Sequence, residues 1–277
     1  MSQFSSSQAS GFAQDGVSHL TNEIARSLDE NIGPSSFRFS LRSLLLTTTA
    51  VALIVFGLRT VWLSAQLNAT SNRITNSMRQ IELGLNNYVS ARGFRVASQS
   101  TDDAGVPLSS WRWLITPHVT QLDGETMEWS YRESWKAPAN RDVREMRFDA
   151  YCINPNASDC NTNIFAIVGD DTAISSNLTA HQRELPPDAL MIMEVADSGK
   201  NWMEPGDYDV DELLAANGRL SDSVKGLLND RIHVMFADGE VWALSSDAPI
   251  TALHPFMTIT GAKNADRDEL LAAWRVN

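Results

Sequence analysis

The apolar positions of this chain change period twice along its length. From Ser43 to Leu58 they are nearly continuous, SLLLTTTAVALIVFGL, and no charge interrupts any face. Past Arg59 they thin to a seven-residue recurrence at Leu67, Ile74, Ile81 and Tyr88, with Met78 and Leu85 between. No proline occurs between Pro34 and Pro107, so nothing forces a break in a helix that carries both patterns. The uncharged run is a little short of the roughly 20 residues that span a bilayer, and Val61, Trp62 and Leu63 extend it, with Arg59 able to snorkel and Trp62 suited to the interface. A helix apolar on every face through four turns does not belong in a soluble core, which needs only one covered side. The pattern therefore predicts a transmembrane anchor over 37–64 and a stalk over 65–92. The narrow stripe is expected to seat on this chain's own sheet, because Ser71 interrupts the regularity that a coiled-coil partner requires.

Beyond Gly93, which suits a left-handed helix stop, the sequence is polar as far as Pro107. The segment Trp111–Val119, WRWLITPHV, predicts a short helix or turn against a core. Strand patterns follow at Met127–Arg132, Val143–Tyr151, Ile164–Val168 and Leu190–Val195, the last two almost wholly apolar and hence central in a sheet. In RIHVMFADGEVWALS, Val234 and Phe236 alternate with His233 and Met235, Asp238-Gly239 supplies a tight turn, and Val241–Leu244 return. Asp266 or Asp268 is placed to cap a short C-terminal helix with Leu270, Leu271 and Trp274 on its apolar side. The expected fold is α+β: a long N-terminal anchor and stalk helix packed on an antiparallel sheet, with a head domain over 93–277.

Composition changes the picture in three places. Residues 1–36 hold few large apolar side chains and predict a flexible tail with at most a transient amphipathic turn at Val17–Leu28. A net charge of −12, with Lys and Arg scattered among carboxylates, excludes nucleic acid as a partner. Cys152 and Cys160 flank INPNASD, a turn-forming stretch that predicts a local disulfide if this part lies outside the cytoplasm. No histidine stands near enough in sequence to complete a zinc site there.

The chain shows no Gly-rich phosphate loop, nucleophile elbow or metalloprotease helix, so a non-enzymatic role is expected. The polar constellation left for ligand chemistry is Glu194, Glu204 and Asp207 with His233 and Asp238 downstream. Clustered carboxylate oxygens in a loop turned by Gly206 are the donor type that Ca2+ takes, although the spacing is not that of an EF-hand. The competing reading is a solvated acidic loop. His233 and Asp238 lie five residues apart, roughly 16 Å along an extended strand, too far to act as a pair. His233 is expected as a strand-edge or core-capping histidine, and Glu194, inside an apolar strand, needs a partner. Trp111, Trp113, Trp129 and Trp135 are expected in core and rim packing, not as a sugar-stacking surface.

The order of RQIELGLNNY (79–88), SSWRWLITPHVTQ (109–121), RESWKAPAN (132–140), TNIFAIVGDDTAI (162–174), MIMEVADSG (191–199), NWMEPGDYDVDEL (201–213) and HVMFADGEVWALS (233–245) resembles the planctomycete family of pilin-like proteins with a C-terminal domain of unknown function. The resemblance implies a relative of type II secretion pseudopilins: single-pass, N-terminus inside, with its head in the periplasm or outside. Its implied partners are the lipid bilayer and other pilin-like or envelope proteins, and its implied role is structural, in assembly or scaffolding. An anchored module that binds a cation such as Ca2+, or a small extracellular solute, is the alternative. Where a prepilin carries an acid near the start of its mature helix, this chain has Leu41 and Arg42, which implies an uncleaved, permanent anchor.

Overall fold

The computed structural model describes residues 40–119, 131–154, 159–175 and 184–276. The tail expected over 1–36, the turn at Val17–Leu28, Trp129 and most of the strand expected at Met127–Arg132 lie outside the described residues. The chain forms two compact units, Met1–Val61 and Trp62–Asn277. In the first, the described residues belong to the opening turns of helix α1 (Leu41–Arg92). Leu45, Leu53, Ile54 and Phe56 there are 59–67% exposed, so the apolar run is not the core helix of a soluble fold. Its threonines bond back to their own helix, Thr47 Oγ1 to the Leu44 carbonyl and Thr49 Oγ1 to that of Leu45, which removes unpaired hydroxyls from an apolar surface.

In the second unit, Ile74, Met78, Ile81, Leu85 and Tyr88 of α1 are buried in one cluster with Trp111, Ile164, Ile192 and Met235, as the seven-residue stripe predicts from Ile74 onward, whereas Leu67, its first member, is 38% exposed. Gly84 completes that close contact: a Cβ there would lie 2.3 Å from Val119. Gly93 ends the helix with φ +76°, its N–H on the Val89 carbonyl at 2.8 Å. A small hairpin, β1 (Gln99–Thr101) with β2 (Pro107–Ser110), leads directly into α2 (Trp111–Val119). Val143–Tyr151 is not the strand its composition suggested. It begins in the one-turn helix α3 (Arg141–Arg144) and continues as turns, because Arg147 is drawn onto the Cys152 and Asn154 carbonyls and curls the backbone around itself.

The main sheet has the order β5-β3-β4-β6-β7-β8. Its strands are β3 (Ile164–Val168), β4 (Leu190–Glu194), β5 (Tyr208–Asp209), β6 (Arg231–Phe236), β7 (Val241–Ser245) and β8 (Arg275–Val276). All pairings are antiparallel except β3 with β5, so the sheet is mixed at one edge, not wholly antiparallel. Both faces are covered. Ile232, Val234 and Phe236 point into a second cluster with Leu220, Ile250, Phe256 and Leu271. The intervening His233 and Met235 therefore lie on the α1 side, by the two-residue period of a strand. Between the sheet strands run the short helices α4 (Val210–Ala215) and α5 (Leu220–Ser223), followed near the C-terminus by α6 (Ile259–Ala262). The C-terminal helix shrinks to one turn, α7 (Arg267–Leu270), capped by the Asp266 carboxylate.

Candidate functional site

The position that breaks the apolar stripe of α1 is the one that makes a polar contact with the sheet. Ser71 Oγ lies 2.7 Å from His233 Nε2, and His233 Nδ1 lies 3.1 Å from Glu194 Oε1. The same carboxylate oxygen accepts the backbone N–H of His233 at 3.0 Å. Glu194 and His233 are buried, and Glu194 Oε2 has no hydrogen-bond partner among the described residues. Gly226 admits this closure, since a Cβ there would meet Glu194 Oε1 at 2.9 Å and the Arg231 carbonyl at 2.8 Å. Three elements, α1, β4 and β6, thus meet through one hydroxyl, one imidazole and one carboxylate.

Serine, histidine and acid in this order are the relay of a serine hydrolase. Acyl transfer also needs N–H donors aimed at the developing oxyanion. Ser71 sits inside a long helix, where its own N–H and those around it bond to carbonyls four residues earlier. The arrangement is a polar clasp that seats α1 on the sheet.

A second buried network surrounds Arg112, on α2. Its Nη1 bonds to Asp207 Oδ1 at 2.6 Å and to the Ile164 carbonyl at 3.0 Å; its Nε reaches the Trp202 carbonyl at 3.0 Å, and Nη2 the Glu204 carbonyl at 3.2 Å. Asp207 Oδ1 also accepts from Trp111 Nε1 at 3.1 Å and from the Ala166 N–H at 2.8 Å. Neither member of the ion pair is more than 1% exposed. The guanidinium lies against the rings of Trp111 and Phe165, with centroids 5.3 and 5.6 Å away. This network binds SSWRW, TNIFA and NWMEPGD to one another. An arginine inside an otherwise apolar aromatic segment was the available sequence signal for it, because a buried guanidinium requires an acid.

The five candidate ligand residues are therefore not one cluster. Glu194 and His233 meet. Asp207 belongs to Arg112, and Glu204 contributes its backbone carbonyl to the same network. Asp238 pairs with Arg267, Oδ1 to Nη1 at 2.9 Å and Oδ2 to Nη2 more closely still. Burial raises the Asp238 pKa, but the Arg267 guanidinium and the Glu240 N–H outweigh it and leave the group below its usual value. In the acidic segment, Asp209 caps α4 by accepting from the Asp211 and Glu212 N–H groups. Among the described residues no group of three or more His, Cys, Asp or Glu side chains is placed to hold a metal ion. Trp111, Trp113 and Trp202 are fully buried, as core packing requires.

The disulfide expected between Cys152 and Cys160 is not formed; both are free thiols. Cys160 Sγ is turned onto the Glu145 carbonyl at 3.0 Å, while Cys152 is packed into the core. Burial pushes the Cys152 thiol up to about 11, so little thiolate exists at neutral pH. A maleimide at pH 7 is expected to label Cys160 in the folded chain and Cys152 only after denaturation. Labelling of neither until a reductant is added would restore the disulfide.

Comparison with family models, curated proteins and solved structures returned no match for this chain. The pilin-like resemblance therefore rests on motif order alone.

Proposed function

We propose that this chain is a single-pass, membrane-anchored, pseudopilin-like envelope protein with a structural, assembly or scaffolding role. The observation that carries the reading is the exposure of Leu44, Leu45, Leu46, Leu53, Ile54, Phe56, Leu58, Trp62 and Leu63, all at 52% or more, on a helix long and apolar enough to cross a membrane. Apolar surface of that extent calls for a lipid or protein environment, at about 25 cal/mol for each Å² removed from water. The same helix supplies the stripe buried against the head's sheet, so anchor and head are covalently continuous. In this reading the N-terminus faces the cytoplasm and the head lies in the periplasm or outside. The buried network around Arg112 and the Arg267–Asp238 pair hold the head together, and scaffolding asks for that rigidity.

Alkaline carbonate extraction of membranes that carry the full chain tests the anchor. The protein is expected in the pellet, and release into the supernatant would reject it. The cation-binding reading is not favoured, since Asp207, Asp209 and Asp238 are already committed to Arg112, to the α4 cap and to Arg267.

A further inference from the structure

The outward side of the head's α1 residues differs in charge from the rest of the molecule. Between Trp62 and Arg92 the only carboxylate is Glu82, against Arg73, Arg79 and Arg92, in a chain whose net charge is −12. On this side Ala69, Asn72, Arg73, Asn76 and Gln80 line a groove of about 550 Å³, closed opposite by Arg147 and Asp149. That volume falls within the roughly 300–1,000 Å³ typical of small-molecule sites. Asn72, Asn76 and Gln80 stand four residues apart and form one row along the helix. Neither they nor Arg73 engage in a side-chain hydrogen bond or ion pair among the described residues. Arg147 is held by the Asn154 carbonyl at 2.6 Å and that of Cys152, with Asp149 3.4 Å from its Nε.

The donor and acceptor inventory selects a ligand class. The Arg73 guanidinium calls for an anionic group, ideally a carboxylate, which Arg meets with two parallel bonds, whereas that of Arg147 is already engaged by carbonyls and Asp149. Three side-chain amides and the Asp149 carboxylate also present acceptors, and these need a ligand that donates. Sulfate only accepts and would leave those oxygens unmatched. Hydroxyl groups both donate and accept. We infer that this groove binds a polyhydroxylated carboxylate, a uronic-acid-type saccharide, with Arg73 on the carboxylate and the Asn72, Asn76 and Gln80 amides on the hydroxyls. The inference does not depend on what α1 spans.

The test is calorimetric titration of the full chain, in a neutral detergent without sugar headgroups, with an oligogalacturonate. A neutral glucose oligomer and inorganic sulfate are run beside it. Saturable binding of the oligogalacturonate is expected, weakened about tenfold by Arg73→Gln, which removes a hydrogen bond to a charged group, and about fivefold by Asn76→Ala, which removes a neutral one. Both side chains are exposed, so the variants should fold as the parent does, and thermal unfolding verifies it. The inference is overturned by absence of saturable binding, by variants that stay within twofold of the parent, or by sulfate competing as well as the saccharide does, which would mean charge attraction alone.

Discussion

Arg112→Met is expected to lower the unfolding free energy of the head by about 3–5 kcal/mol, the usual consequence of leaving one member of a buried ion pair uncompensated. Methionine retains much of the packing against Trp111 and Phe165, so the loss isolates the polar network from the volume change. Asp207 would then be buried with only the Trp111 and Ala166 donors, and the carbonyls of Ile164, Trp202 and Glu204 would each lose the guanidinium. Adding Asp207→Asn removes the stranded charge and should recover part of the loss but not all, because those carbonyls stay without that donor. Urea unfolding of the full chain in detergent, followed by tryptophan fluorescence, measures both through the midpoint at constant slope. A loss below about 1 kcal/mol for Arg112→Met would show that the network does not hold these segments together.

Glu194→Leu has the next largest expected effect, about 2–4 kcal/mol, since it strips the acceptor from two buried donors, the His233 backbone N–H and Nδ1–H. Glu194→Gln keeps an acceptor oxygen and should cost distinctly less. The clasp makes a sharper claim about Ser71. Ser71→Ala alone should cost about 1 kcal/mol, and a double-mutant cycle with His233→Gln should return a coupling of about 0.5–1.5 kcal/mol. Additive losses, with no coupling, would mean that Ser71 and His233 do not share a bond in solution. The cycle also tests why a serine interrupts the stripe: a leucine there would fit the repeat but leave the imidazole Nε2 facing apolar carbon.

The elements that were legible in the chain are those defined by neighbours in sequence. The stripe from Ile74 to Tyr88, the alternation in 231–236 and the turn at Asp238-Gly239 each depend on a period or on one residue's backbone freedom, and each is present. Val143–Tyr151 was misread because its apolar residues suit a strand as well as a turn packed on the core. The excess of acid around Asp207 was readable as a loop that awaits a cation. It is an acceptor set already supplied with Arg112 and with the N-terminal amides of α4.

What the sequence by itself determined is where this protein is greasy on all sides, where on one, and where on alternate sides, because those are properties of consecutive residues and of fixed helical and strand repeats. Only the tertiary structure decided which polar groups meet. Arg112 finds Asp207 across 95 positions and Ser71 finds His233 across 162, pairings set by the strand order of the sheet and by the placement of α1 and α2 against it. Burial makes such partners obligatory, but it does not name them: a guanidinium or carboxylate taken out of water accepts whichever counterpart the packing of distant segments delivers.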